Sequence, residues 1–264
     1  MRAMLISLLV IGVCGCGLPV DQPVGDPIEN SIGMVLVAIP AGEFMMGSPE
    51  TEIGRVGNET RHRVTLTKSF HLGRTEVTQG QWKAVMGTTP WNDYVRRKEG
   101  DDYPATRVNW EDAVEFCEKL SEKEGVEYRL PTDAEWEYAC RAGTTTVYSF
   151  GDDESQFGEY AWFDKNAGDA DEKYAHIVGQ KKPNAWGLYD MHGNVFEWCQ
   201  DNYGEYPSGD VTDPVGPASG SFRVFRGGCW YNSARGCRSA YRFWSSPSDR
   251  SHGLGFRVLR SSAK

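Results

Sequence analysis

The segment from Arg226 to Arg238, Arg-Gly-Gly-Cys-Trp-Tyr-Asn-Ser-Ala-Arg-Gly-Cys-Arg, carries the side chains best suited to chemistry in this chain. Cys229 and Cys237 supply two thiols. Brought together, they can share a soft metal ion or close a disulfide. Held apart, Cys229 is a small packed hydrophobe and Cys237 a buried thiol. Cys117, Cys140 and Cys199 complete the set beyond residue 16, so at least one of these five thiols stays unpaired within a monomer. Connectivity is not readable from spacing. His62, His71, His176, His192 and His252 show no zinc spacing of the H-E-x-x-H kind. A G-x-S-x-G elbow and a phosphate-cradling glycine loop are also missing from the sequence. Ser233 and Ser239 read as polar surface. Asp164, Asn166, Asp169 and Asp171 miss the spacing of an EF-hand loop and read as a solvated acidic turn.

The framework that must position these groups starts after a leader. Arg2 followed by Leu5-Ile6-Ser7-Leu8-Leu9-Val10-Ile11-Gly12-Val13 has the charge and the short apolar run of an export signal, too short to span a bilayer. Val13-Cys14-Gly15-Cys16 resembles a lipobox, with Cys16 the residue to be lipidated. This places the chain at the cell envelope, on the periplasmic or extracellular face, with the lipid as its only membrane attachment. Residues 17–30 carry three prolines, two glycines and two aspartates without amphipathic period and read as a tether. Residues 31–261 then form one domain, large enough for a true core. A formal net charge of −9 and a pI near 5.1 argue against nucleic acid, which demands a basic face. Nine tryptophans and thirty glycines predict a loop-rich fold packed by large rings.

Hydrophobic spacing gives the elements. Met34 to Ile39 and Glu43 to Gly47, separated by Pro40-Ala41-Gly42, predict a hairpin. Val64, Leu66, Phe70 and Leu72 predict extended chain. Thr78 opens a helix to Met86 with a capping box and a stop at Gly87. Asn109 caps a second helix to Glu124, with Trp110, Ala113, Val114, Cys117 and Leu120 on one face. Thr132-Asp133-Ala134-Glu135 opens a third, through Cys140 and closing at Gly143. The fold class is α+β with little regular structure.

Four blocks, in order, resemble the formylglycine-generating enzyme, or sulfatase-modifying factor, family. They are Glu76-Val77-Thr78 with Trp82; Arg129-Leu130-Pro131-Thr132-Asp133-Ala134-Glu135-Trp136-Glu137-Tyr138-Ala139; Gly187 to Trp198; and Arg226-Gly227-Gly228 with Gly255-Phe256-Arg257. The resemblance runs from about residue 33 to residue 260. It implies a single α+β domain of the formylglycine-generating type, related to C-type lectins. It also implies oxygen-dependent oxidation of a cysteine in sulfatases, within a C-x-P-x-R segment, by a cuprous ion held on two cysteines.

Cys237 matches the second copper cysteine, Asn232 stands at the first, and Cys229 replaces a serine that lines the same site. An amide is a poor ligand for soft cuprous copper, so the pair is incomplete and the full reaction is not expected. A structural calcium is implied at Asp190, the Gly193 and Val195 carbonyls, and Glu197, with a plain turn capped by Asp190 as the alternative. The family's other calcium site falls on Trp162-Phe163, which lacks its ligands. Cys117 and Cys140 match disulfide positions, but their partner positions hold Val258 and Arg242. The rival reading is a non-catalytic, lectin-like binding module of the envelope. It would take a protein, peptide or glycan ligand, a sulfatase among the candidates, on the rings of Trp230, Tyr231, Tyr241, Phe243 and Trp244.

Overall fold

The computed structural model of the chain describes residues 25–93 and 98–262. The expected lipidation site Cys16 and most of the tether lie outside the described residues. The elements run in the order β1 (Ile28–Glu29), β2 (Val35–Ile39), β3 (Gly42–Met46), β4 (His62–Leu66), β5 (Phe70–Gly73), α1 (Gln79–Met86), α2 (Trp110–Glu124) and β6 (Tyr128–Arg129). There follow α3 (Asp133–Arg141), α4 (Phe157–Tyr160), β7 (Phe196–Asn202), β8 (Val211–Thr212), β9 (Arg223–Arg226), β10 (Phe243–Ser245), β11 (Leu254–Gly255) and β12 (Leu259–Ser261). Among the described residues no helix is long and apolar enough to cross a membrane.

Local chemistry sets the helix ends. Thr78, Asn109 and Thr132 each accept from the third backbone N–H of α1, α2 and α3, while Gln81, Asp112 and Glu135 reach back to the cap. Each such cap is worth about 1 kcal/mol. Gly87 and Gly125 close α1 and α2 in the left-handed region, as expected. In α3 that role falls to Ala142, at φ 47°, one residue before the expected Gly143.

The expected hairpin of β2 and β3 does not form. β2 pairs with β1 and β5 in a five-stranded sheet, β1-β2-β5-β12-β6, whereas β3 pairs with β4 in a three-stranded sheet, β3-β4-β8. The reason is burial. Four of the five β2 residues are buried on both faces of the pleat, which demands an interior strand with partners on both edges. Pro40, which has no N–H to donate, separates the two ladders. Ile28 and Glu29, expected inside the tether, form a strand that pairs with Leu36 and Val35.

The third sheet, β10-β9-β7-β11, carries the site. Phe196 and Trp198 of β7 face one core with Trp82, Phe116 and Phe256, whose rings stack or meet edge to face at 5.3–6.1 Å. Glu197 faces the other way. Its neighbours across the sheet are Arg226 on β9 and Gly255 on β11. The period of two thus puts the glutamate of one sequence block in line with the arginine of another. Gly255 admits no side chain, since a Cβ there would lie 2.6 Å from the Ala105 carbonyl oxygen.

Candidate functional site

Strand β9 ends at Arg226 and the chain turns through two glycines in the left-handed region, Gly227 at φ 92° and Gly228 at φ 77°. A Cβ on Gly228 would lie 2.3 Å from Cys237 Sγ. Only glycine lets the returning turn at Ala234–Cys237 set its sulfur against the backbone beside Cys229. Both thiols are fully buried. Among the described residues every cysteine is a free thiol, Cys117, Cys140 and Cys199 included.

Asn232 occupies the place where the resemblance puts a thiol, and it is engaged with Cys229. Its Oδ1 accepts from the Cys229 backbone N–H at 3.1 Å and from the Cys229 thiol at 2.9 Å. The Asn232 N–H in turn donates to the Cys229 carbonyl at 2.9 Å. Burial pushes the Cys229 thiol up to about 12, against opposing contacts from Tyr231 and Asn232. Burial, and then the neighbouring Cys229, push Cys237 well above its usual value. With an amide at Asn232, the donor set is one thiol short of the cysteine pair that the resemblance implies.

A network of buried ions holds this loop in place. Arg226 is fully buried and donates to Asp133, Glu137, the Tyr206 hydroxyl and the Ser239 and Tyr241 carbonyls. Arg242 shares Asp133, and Arg141 shares Glu137. Arg238, adjacent to Cys237, pairs with Glu59 at 2.6 Å and with Glu52. His192 donates from Nδ1 to the Cys237 carbonyl at 2.8 Å and accepts at Nε2 from the Ser149 N–H at 3.1 Å, so the ring is neutral with its proton on Nδ1. Burial depresses His192 to about 4. Ser239, expected at the surface, is buried. Sequence reasoning passed over these partners, because Glu52, Glu59 and His192 are remote from the motif in the chain.

Of the implied calcium ligands, Asp190, Gly193 and Val195 lie on the turn leading into β7, and Glu197 is the second residue of that strand. Glu197 is taken up by Arg257, which donates from Nε and Nη2 at 2.6 Å to its two oxygens, and by the Trp136 indole at 2.7 Å. Asp190 accepts at Oδ2 from the Gly179 N–H at 2.6 Å, and its buried carboxyl also accepts a hydrogen bond from the Glu76 carboxyl. Burial together with Asp190 pushes the Glu76 carboxyl well up, so these two acids share a proton. Among the described residues no three His, Cys, Asp or Glu side chains converge on a metal position. At the family's other calcium position, Trp162 stacks on His176 at 3.8 Å and takes the Lys181 ammonium over its ring. The acidic turn is satisfied locally: Asp164 accepts from the Lys165 N–H and Asn166 bridges Phe163 and Ala161.

The five aromatic residues do not line one cleft. Trp230 is buried beside Tyr231 and His252. Tyr241, Phe243 and Trp244 line a separate cleft with Tyr203, on which the half-exposed Trp244 stacks at 4.4 Å.

Fold and site together define an α+β domain built around a glycine-kinked thiol loop braced by buried arginines. The chain belongs to the sulfatase-modifying factor enzyme 1-like domain family, whose model matches residues 24–262. It is 29% identical over 310 residues to the chaperone protein LppX of Paenibacillus barcinonensis, covering 99% of this chain and all of that protein. It is 29% identical to the formylglycine-generating enzyme of Mus musculus, covering 93% of this chain and 85% of that one. Among solved structures, Treponema denticola variable protein 1 superposes with a TM-score of 0.81 and 31% identity, covering 90% of this chain and all of that one.

Proposed function

We propose that this protein is a binding module built on the sulfatase-modifying-factor scaffold, lipid-anchored through Cys16 at the cell envelope, which holds a protein or peptide partner without oxidising it. The observation that carries this is Asn232. Cuprous chemistry on a cysteine substrate needs two protein thiolates, and here an amide replaces one and accepts the S–H of the nearest other thiol. The two buried thiols in the loop are packing groups. A relative whose name describes a chaperone, matched along its full length, supports a role in holding proteins. A sulfatase carrying an unmodified C-x-P-x-R segment is one partner of suitable chemistry.

Incubation of the purified domain with a C-x-P-x-R peptide, cuprous copper and oxygen tests the reading by mass spectrometry. The expected result is no mass loss of aldehyde formation. Conversion of the peptide refutes the proposal. Conversion abolished by Cys229→Ser or Cys237→Ser would instead assign the two thiols to catalysis.

Within the same reading, calcium is held as a structural ion at Asp190, the Gly193 and Val195 carbonyls and Glu197, and Glu76, which bonds to Asp190, gives up the shared proton as the ion binds. Calcium should raise the melting temperature of the chelated protein. Glu76→Gln should remove that response, and a melting temperature indifferent to calcium sinks this assignment.

A further inference from the structure

A cavity of about 420 Å³ opens beneath the loop from Gly204 to Pro217, and no residue of the 227–238 loop lines it. That volume lies within the range of small-ligand pockets. Both ends of its wall are fixed. Arg242 donates to the Gly204 carbonyl, Asn202 donates to the Pro217 carbonyl, and β8 pairs in parallel with β4. The pocket is therefore preformed.

Beneath it three arginines meet three carboxyls, but they are not paired one to one. Asp133 is balanced by Arg226 and Arg242, and neighbouring Glu137 by Arg226 and Arg141. Asp201, which also lines the cavity, is 4% exposed, and among the described residues it has no ion pair. Its Oδ2 accepts from the Asp133 N–H at 2.9 Å. Its Oδ1 makes no hydrogen bond among the described residues and lies against Gly216, where a Cβ would come within 2.9 Å. Met46, Val211 and Pro214 supply apolar wall, and exposed Glu205 adds negative charge at the mouth. A buried carboxyl with no directly bonded cation, on the floor of a partly apolar pocket that Arg242 also lines, is a receptor for a second cation on a hydrocarbon stem.

We propose that this cavity binds an alkylammonium group, such as a lysine side chain presented by a peptide, with the ammonium on Asp201 Oδ1 and the stem along Met46, Val211 and Pro214. The inference stands apart from the reading of the thiol loop, because it uses none of its residues. Gly216 is a positioning residue: it leaves Oδ1 reachable.

Burial pushes the Asp201 carboxyl up to about 8, with Asp133 and Glu135 adding to the rise and Arg242 opposing it. His62, Tyr206 and Glu205 also line the pocket. Docking of an ammonium at neutral pH therefore expels a proton from Asp201, and binding tightens as pH rises toward 8.

Titration of the protein with N-acetyl-lysine methylamide, followed by NMR or calorimetry, tests this, with n-butylammonium as the small-amine arm and N-acetyl-norleucine methylamide as the uncharged control. Saturable binding of the lysine probe is expected, with little binding of norleucine. Equal binding of n-butylammonium assigns the site to free amines, and a preference for the lysine probe assigns it to peptides; both support the alkylammonium site. Asp201→Asn, which keeps the acceptor for the Asp133 N–H, should weaken binding at least about tenfold and flatten its pH dependence. Gly216→Ala should block the site. Absence of binding, equal binding of norleucine, or affinity unchanged in Asp201→Asn overturns the proposal.

Discussion

Replacing Asp201 with asparagine makes the strongest quantitative test of how this interior is balanced. The carboxyl is raised from 3.8 to about 8, first by burial and then by Asp133. A raised carboxyl binds its proton more tightly folded than unfolded. Its contribution to stability is therefore complete below 3.8 and is lost as pH rises through about 8. Each pH unit within that window is worth about 1.4 kcal/mol, so the native protein should lose about 2–3 kcal/mol between pH 5 and pH 7 from this group. Asparagine does not titrate, and its amide oxygen still accepts from the Asp133 N–H. Urea denaturation at pH 5, 7 and 9 should show the variant gaining on the wild type as pH rises, with an unchanged m-value. Parallel pH profiles for the two proteins refute the assignment of Asp201 as a buried, uncompensated acid.

Other consequences follow from the same geometry. Arg257→Met leaves Glu197 charged and buried with only the Trp136 indole beside it, and should cost about 3–5 kcal/mol in chemical denaturation; a change within error refutes the pairing. Gly228→Ala places a methyl 2.3 Å from Cys237 Sγ at φ 77° and should cost at least about 2 kcal/mol, read as a lowered melting temperature. His192 is depressed from 6.5 to about 4, so its contribution is full above 6.5 and lost as pH falls through 4. Acid denaturation between those limits should soften by about 3 kcal/mol in His192→Gln, and an unaltered acid limb argues against a neutral buried ring. Asn232→Ala strips the Cys229 N–H and S–H of their acceptor and should cost about 1–3 kcal/mol, whereas a neutral effect shows that solvent replaces it.

Much of this protein was legible before any coordinates. The three capped helices, the α+β class and the four family blocks rest on signals that lie within a few residues of each other. Capping boxes and glycine stops are local physics, and local physics is written in local sequence. The substitution at Asn232 is of the same kind: a missing thiol can be read from a single letter. Tertiary structure decided what the letters do. Pairing of β2 with β5 instead of β3 follows from burial on both faces, which a strand's own pattern does not reveal. The pairing of Glu197 with Arg257, 60 residues away in the chain, appears only once the fold brings β7 beside the C-terminal block. Asp201 drew no notice in sequence, since a carboxylate acquires its meaning only from the cations that a fold fails to place beside it.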